Sequence, residues 1–146
     1  MPKDLKNNIT TVLLKEPADD AGTDATSSLL DVSDYNGVEV DAIVGALTGT
    51  LGASNYLTPI LQESNTTAAA DFTTVASADM IGGFTVIDSA TEDSVIQRVG
   101  YIGTKRYLRV TFDYTGTISA GITGAIGILG LPKEAPTSAV AAVSAT

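Results

Sequence analysis

Carboxylates are the residues of this chain best supplied for chemistry, and their spacing sets what that chemistry could be. Asp19, Asp20 and Asp24 fall close together, with Asp31 and Asp34 beyond, a set of oxygens of the kind that ligates Ca²⁺. Their spacing matches no EF-hand loop, so the reading from sequence is a solvated turn and no metal site. Glu39 with Asp41, and Glu92 with Asp93, are carboxylate pairs of the type a glycosidase uses. With three Phe, five Tyr and no Trp, however, a platform for stacking sugars is poorly supplied. No His and no Cys occur, which removes Ser–His–Asp and Cys–His nucleophile pairs, the usual zinc ligands and disulfides. No glycine-rich nucleotide motif or P-loop lysine is present. The expectation is a protein that is not an enzyme and takes no cofactor.

The basic residues make the other constellation. Lys3, Lys6 and Lys15 stand in the first fifteen positions, and Arg98, Lys105, Arg106 and Arg109 in one later stretch with Tyr107 among them. From Glu16 to Gln97 there is no Lys or Arg, so the net charge of −9 is unevenly spread. Such acidity argues against nucleic acid as a partner. Two readings of the basic residues stand: local ion pairs beside a solvated acidic surface, or contacts with acidic surfaces on neighbouring copies or a partner assembly. The second makes Lys3, Lys6, Arg98, Lys105, Arg106, Tyr107 and Arg109 the candidate interface residues, with Arg and Tyr the types enriched at interface hot spots.

The elements that must carry these residues read as strands and turns. The 146 residues are 44% apolar and suit one domain with a real core. Ile9 to Leu14 is a first strand, and Glu16 to Ser28 a polar loop. Asn36-Gly37 reads as a turn leading into Val38 to Leu47, where Val38, Val40, Ala42 and Val44 alternate with Glu39 and Asp41. Tyr56 to Ser64 follows, with Pro59 marking an edge or bulge. Asp71 to Ala76 and Gly83 to Asp88 read as short strands. Ser94 to Tyr114 has the pattern of a hairpin turning at Gly103-Thr104, which makes Arg98 and Arg109 candidates for cross-strand contacts. Thr117 to Leu131 carries a glycine at every third position from Gly121 to Gly130, and period two puts Ile118, Ile122, Ile126 and Ile128 on its buried face. This longest apolar run is too short and too glycine-rich for a membrane helix, and Met1 to Asn8 has no targeting pattern.

These signals together give an all-β antiparallel sandwich of jelly-roll type. It comprises an arm at 1–8, a sandwich at 9–131 and a flexible tail rich in Ala, Val and Ser at 132–146. Four segments carry a resemblance: KDLKNNI at Lys3–Ile9, PILQESN at Pro59–Asn65, DFTTV at Asp71–Val75 and VGYIGTKRYLRV at Val99–Val110. The chain resembles the head decoration (cement) proteins of tailed bacteriophages, most specifically over Gly100–Val110. The resemblance implies a structural protein assembled in the host cytoplasm and placed on the outer capsid surface of the virion. There it would bridge neighbouring major capsid proteins, as a homotrimer at local threefold positions. Alternatives in other classes are a carbohydrate-binding or host-adhesion module, with Tyr35, Tyr56, Tyr101 or Tyr107 in a groove, and a tail or head–tail connector protein.

Overall fold

The computed structural model describes residues 4–133. Lys3 and the tail from residue 134 lie outside the described residues, so the expectations placed on them are not addressed. Among the described residues, ten strands form two antiparallel sheets facing one another. They are β1 (Ile9–Asp19), β2 (Ala25–Thr26), β3 (Leu30–Asp31), β4 (Tyr35–Thr48), β5 (Tyr56–Ser64), β6 (Thr73–Thr74), β7 (Met80–Ile81), β8 (Val95–Tyr101), β9 (Tyr107–Thr115) and β10 (Ala120–Pro132). The first sheet runs β1-β10-β4-β8-β7 and the second β2-β9-β5-β6, with β3 also paired to β9. The expected all-β sandwich is the observed fold.

The core lies between the sheets, where period-two alternation drives apolar side chains from both inner faces. Val12, Leu14, Val40, Ala42, Val44, Val99 and Leu129 come from the first sheet, and Leu57, Leu61, Leu108, Val110 and Phe112 from the second. Pro59 sits on β5 where its neighbours Leu57 and Leu61 bond away from β9, to Ile87 and Val75 respectively. Its missing N–H therefore points to the less covered side, as a strand proline requires.

Several expectations are corrected. The segment from Ser94 to Tyr114 is not a hairpin: β8 pairs with β4 and β7, while β9 pairs with β5, β2 and β3 in the other sheet. Gly103 lacks the positive φ that a two-residue turn with Gly first would need. It is glycine because a Cβ would lie 2.5 Å from the Tyr101 Oη. The connection is a corner between sheets, and the alternation in each strand was compatible with either partner. Arg98 and Arg109 consequently do not face one another.

Asn36-Gly37 is strand rather than turn, since both lie within β4 and Gly37 pairs with Gly130. The polar loop begins later than expected, because β1 continues to Asp19 through bulges after Leu13 and Lys15. The turn falls near Gly22, where φ is +70°. Asp71 to Ala76 holds only a short 3₁₀ turn at Ala69–Asp71 and the two-residue β6, and Gly83 to Asp88 only a bridge from Ile87 to Leu57. Pro132 pairs with Tyr35, one residue past the expected end of the sandwich.

The face of β10 is also inverted. Thr123, Ala125 and Leu129 point into the core, whereas Ile122 is 47% exposed and Ile126 and Ile128 are half-buried on the outer face. The reason lies across the sandwich. A Cβ at Gly127 would approach Leu30 Cδ2 to 2.7 Å, and one at Gly121 would approach Tyr114 Oη to 2.6 Å. Large side chains of the opposite sheet occupy that space, so β10 is small on its inward face at these positions and Ile122, Ile126 and Ile128 turn outward, while Ile118 before the strand is buried as expected.

Candidate functional site

The three segments of the resemblance that lie wholly in the described region meet one another. Tyr101 Oη donates to Glu63 Oε2 at 2.6 Å and accepts the Lys105 backbone N–H at 2.9 Å. Arg109 Nε donates to Gln62 Oε1 at 2.8 Å, and the Arg106 backbone N–H donates to Asn65 Oδ1 at 3.2 Å. Arg109 also stacks its guanidinium 4.3 Å from the Phe72 ring and donates to the Ala69 carbonyl. PILQESN, DFTTV and the Gly100–Val110 stretch therefore interlock across the corner, and much of their side-chain chemistry holds the fold together. Burial lowers the Arg109 pKa, and burial with the neighbouring Glu63 raises the phenol of Tyr101 above its ordinary value.

The basic candidates separate into three places. Arg98 stands on the outer face of the first sheet and Arg109 on the outer face of the second. Arg106 lies between them at one end of the sandwich. There it donates to both Asp31 oxygens, the shortest contact being 2.8 Å, and packs 5.0 Å from the Tyr107 ring. The pairing lowers the Asp31 pKa against the opposing effect of burial. A cleft of about 470 Å³ opens beside it, walled by Tyr35, Asn36, Thr104, Lys105, Arg106 and Lys133. Lys133 Nζ donates to the Ser33 carbonyl on the same rim. The chain enters β1 at this end, with exposed Lys6 three residues before Ile9. The far end holds Asp19, Asp20, Asp24, Glu92, Asp93 and Asp113, against Lys15 as its cation among the described residues. Excess negative charge is thus gathered at one end, whereas at the other Lys6, Lys105, Arg106 and Lys133 stand among Asp4, Asp31 and Asp34.

The acidic turn is spent on protein donors. Asp19 Oδ1 accepts from the Ala21 and Gly121 N–H groups, which lowers its pKa. Asp20 pairs with Lys15 Nζ at 2.9 Å and accepts from Tyr114 and Thr123 hydroxyls, while Asp24 accepts the Tyr114 N–H. Asp31 and Asp34 belong to the opposite end, so the five acids do not converge. No group of three or more metal-ligating His, Cys, Asp or Glu forms among the described residues. Of the carboxylate pairs, Asp93 accepts the Leu47 N–H and Glu92 the Asp88 N–H. The four tyrosines do not line one groove: Tyr56 opens β5 at the acidic end, and Tyr101 is buried at the basic end.

Glu39 and Asp41 sit side by side on the outer face of the first sheet. Arg98 forks onto Glu39 with contacts of 2.7 and 2.9 Å and holds that carboxyl below its usual range. Asp41 is 9% exposed and its Oδ1 has no hydrogen-bond partner. Burial, with Glu39 beside it, pushes its pKa up to about 6, although Arg98 opposes the rise. The folded chain therefore holds a proton that the unfolded chain has released, and the contribution of Asp41 to stability is lost as pH rises between about 4 and 6. Asp41→Asn is expected to stabilise the protein at neutral pH by on the order of 2 kcal/mol and to change little below about pH 4. Denaturant titrations of both proteins across that range check it; a gap that does not close in acid would refute it.

Sequence reasoning missed Glu63, Asp31 and Asp41 as partners, and the outward isoleucines. For Glu63 a signal existed, because period two puts it on the same face of Tyr56–Ser64 as Leu57, Pro59 and Leu61, where a carboxylate needs a buried donor. Among known proteins, no family model matches the chain, and no curated protein does. A solved structure, "Crystal Structure of FLHE", aligns over 87% of this chain and 99% of its own, with 10% identity and a TM-score of 0.34.

Proposed function

We propose that this protein is a non-enzymatic structural protein of a tailed-phage virion, which decorates the outer capsid surface and bridges neighbouring major capsid proteins. The observation carrying this reading is the polarity of the sandwich. The start of β1, the 102–106 corner and Lys133 share the end where Lys6, Lys105, Arg106 and Lys133 offset Asp4, Asp31 and Asp34, while at the other end the acids face Lys15 as their cation among the described residues. An acidic protein attached by such an end keeps its repulsive charge directed away from the shell. The resemblance over Lys3–Ile9 and Gly100–Val110 points to the same end of the molecule. Arg106 is already committed to Asp31, so the cations left for a partner are Lys6, Lys105 and Lys133 on the exposed rim.

The test is cosedimentation of the purified chain with heads assembled from the major capsid protein of the same virus. Wild type is expected to bind, and Lys105→Glu combined with Lys133→Glu to lose occupancy by about tenfold or more, with wild-type binding weakening in salt. Absence of wild-type binding would defeat the decoration reading. Full occupancy by the double variant would defeat the assignment of this end.

A further inference from the structure

The outer face of the first sheet has no cover among the described residues, and around the Glu39, Asp41 and Arg98 group it is aliphatic. Leu13 on β1, Ile122 on β10, Ile96 on β8 and Ile81 on β7 are 47–64% exposed there, with Ile126, Ile128 and Ile43 half-buried between them. Scattered apolar residues on a surface need no explanation, but a contiguous patch of this kind does.

We infer that this face is a homotypic interface, closed by a second copy of the same chain packed face to face across a twofold axis. Three observations choose a second copy. The first is area: four strands about 4.8 Å apart and about 30 Å of β4 give about 600 Å² per copy, or about 1,200 Å² in total, the lower end of stable interfaces. The second is relief. Gly130, Gly37 and Gly100 form a gutter across β10, β4 and β8, in a cleft of about 480 Å³ walled by Ile9, Ile81 and Ile128 and by the Glu39–Arg98 pair. Ridges of isoleucine beside a gutter of glycine, on one face, are the self-complementary relief that an isologous contact needs. The third is charge. Arg98 neutralises Glu39 through a two-bonded fork, which leaves Asp41 as the uncompensated carboxylate beside it at neutral pH. On a chain of net charge −9, this face can therefore meet its own copy with less repulsion than the acidic end would. The packing is that of two sheets stacked about 10 Å apart.

The inference is independent of capsid binding, which uses the end of the sandwich. Sedimentation velocity on the full chain at neutral pH, over a micromolar concentration series, reads it directly. Wild type is expected to weigh twice the 14.9 kDa chain. Ile96→Glu and Leu13→Glu, each changing a side chain already exposed in one copy, are expected to weaken association by about 100-fold or more while keeping the thermal midpoint of the monomer. A monomeric wild type, a mass of three chains, or a dimer that both charged variants leave intact would each overturn it. Protection of the face only when capsid heads are added would overturn it too, giving the surface to a different partner.

Discussion

Leu30→Ala is expected to destabilise the sandwich by about 3 kcal/mol, and Gly127→Ala by about 1–3 kcal/mol, while the double variant costs less than their sum by at least about 1 kcal/mol. Leu30 is fully buried, and its two terminal methyls reach within 2.7 and 2.9 Å of where a Cβ on residue 127 would stand. Truncating Leu30 leaves a cavity between the sheets. Adding a methyl at 127 overfills the same space, with no penalty from backbone conformation, because Gly127 does not occupy the left-handed region. Each change supplies what the other lacks, so the free energies must couple. Denaturant titrations of the four proteins complete the cycle. Additive costs would mean that the sheets do not interdigitate at this point, and the reason given for the small inner face of β10 would fall with them.

Tyr101→Phe is expected to cost about 3 kcal/mol, and Glu63→Gln less than about 1 kcal/mol. The phenol is shared between a carboxylate and a backbone N–H, both at the corner where the chain leaves one sheet for the other. Removing the hydroxyl leaves the Glu63 carboxylate, itself 8% exposed, without that donor. Glutamine at 63 keeps an oxygen to accept the same bond and carries no charge to desolvate. The contrast between the variants separates a lost hydrogen bond from a stranded buried charge. Equal costs, or a negligible cost for Phe, would show that the corner is held by packing alone. The same result would bear on the resemblance to decoration proteins, whose most specific stretch contains this corner. Those residues are engaged in folding, so the decoration proposal leaves attachment to the remaining cations of that end.

Much of the fold was legible from the order of residues. The segment read from Tyr56 to Ser64 is β5 at its observed bounds, and alternation gave the buried face of β4 through Val40, Ala42 and Val44. Period two is a local property: each strand declares its own two faces without reference to a partner. The absence of His and Cys was likewise settled by the sequence, and with it the loss of whole classes of chemistry.

Partnership was decided only by the tertiary structure. The Gly103-Thr104 step has the pattern of a hairpin turn, yet the chain crosses between sheets there, and the corner is tied to Glu63, some forty positions away. On β10 both faces offered apolar or small residues, and the inward one was chosen by Leu30 and Tyr114 pressing from the other sheet. The basic residues formed one cluster along the chain but three sites in space, because consecutive strands entered different sheets. The spacing of a strand fixes which residues share its face; the shape of what packs against it fixes which face is buried, and that information lies in distant segments that only folding brings together.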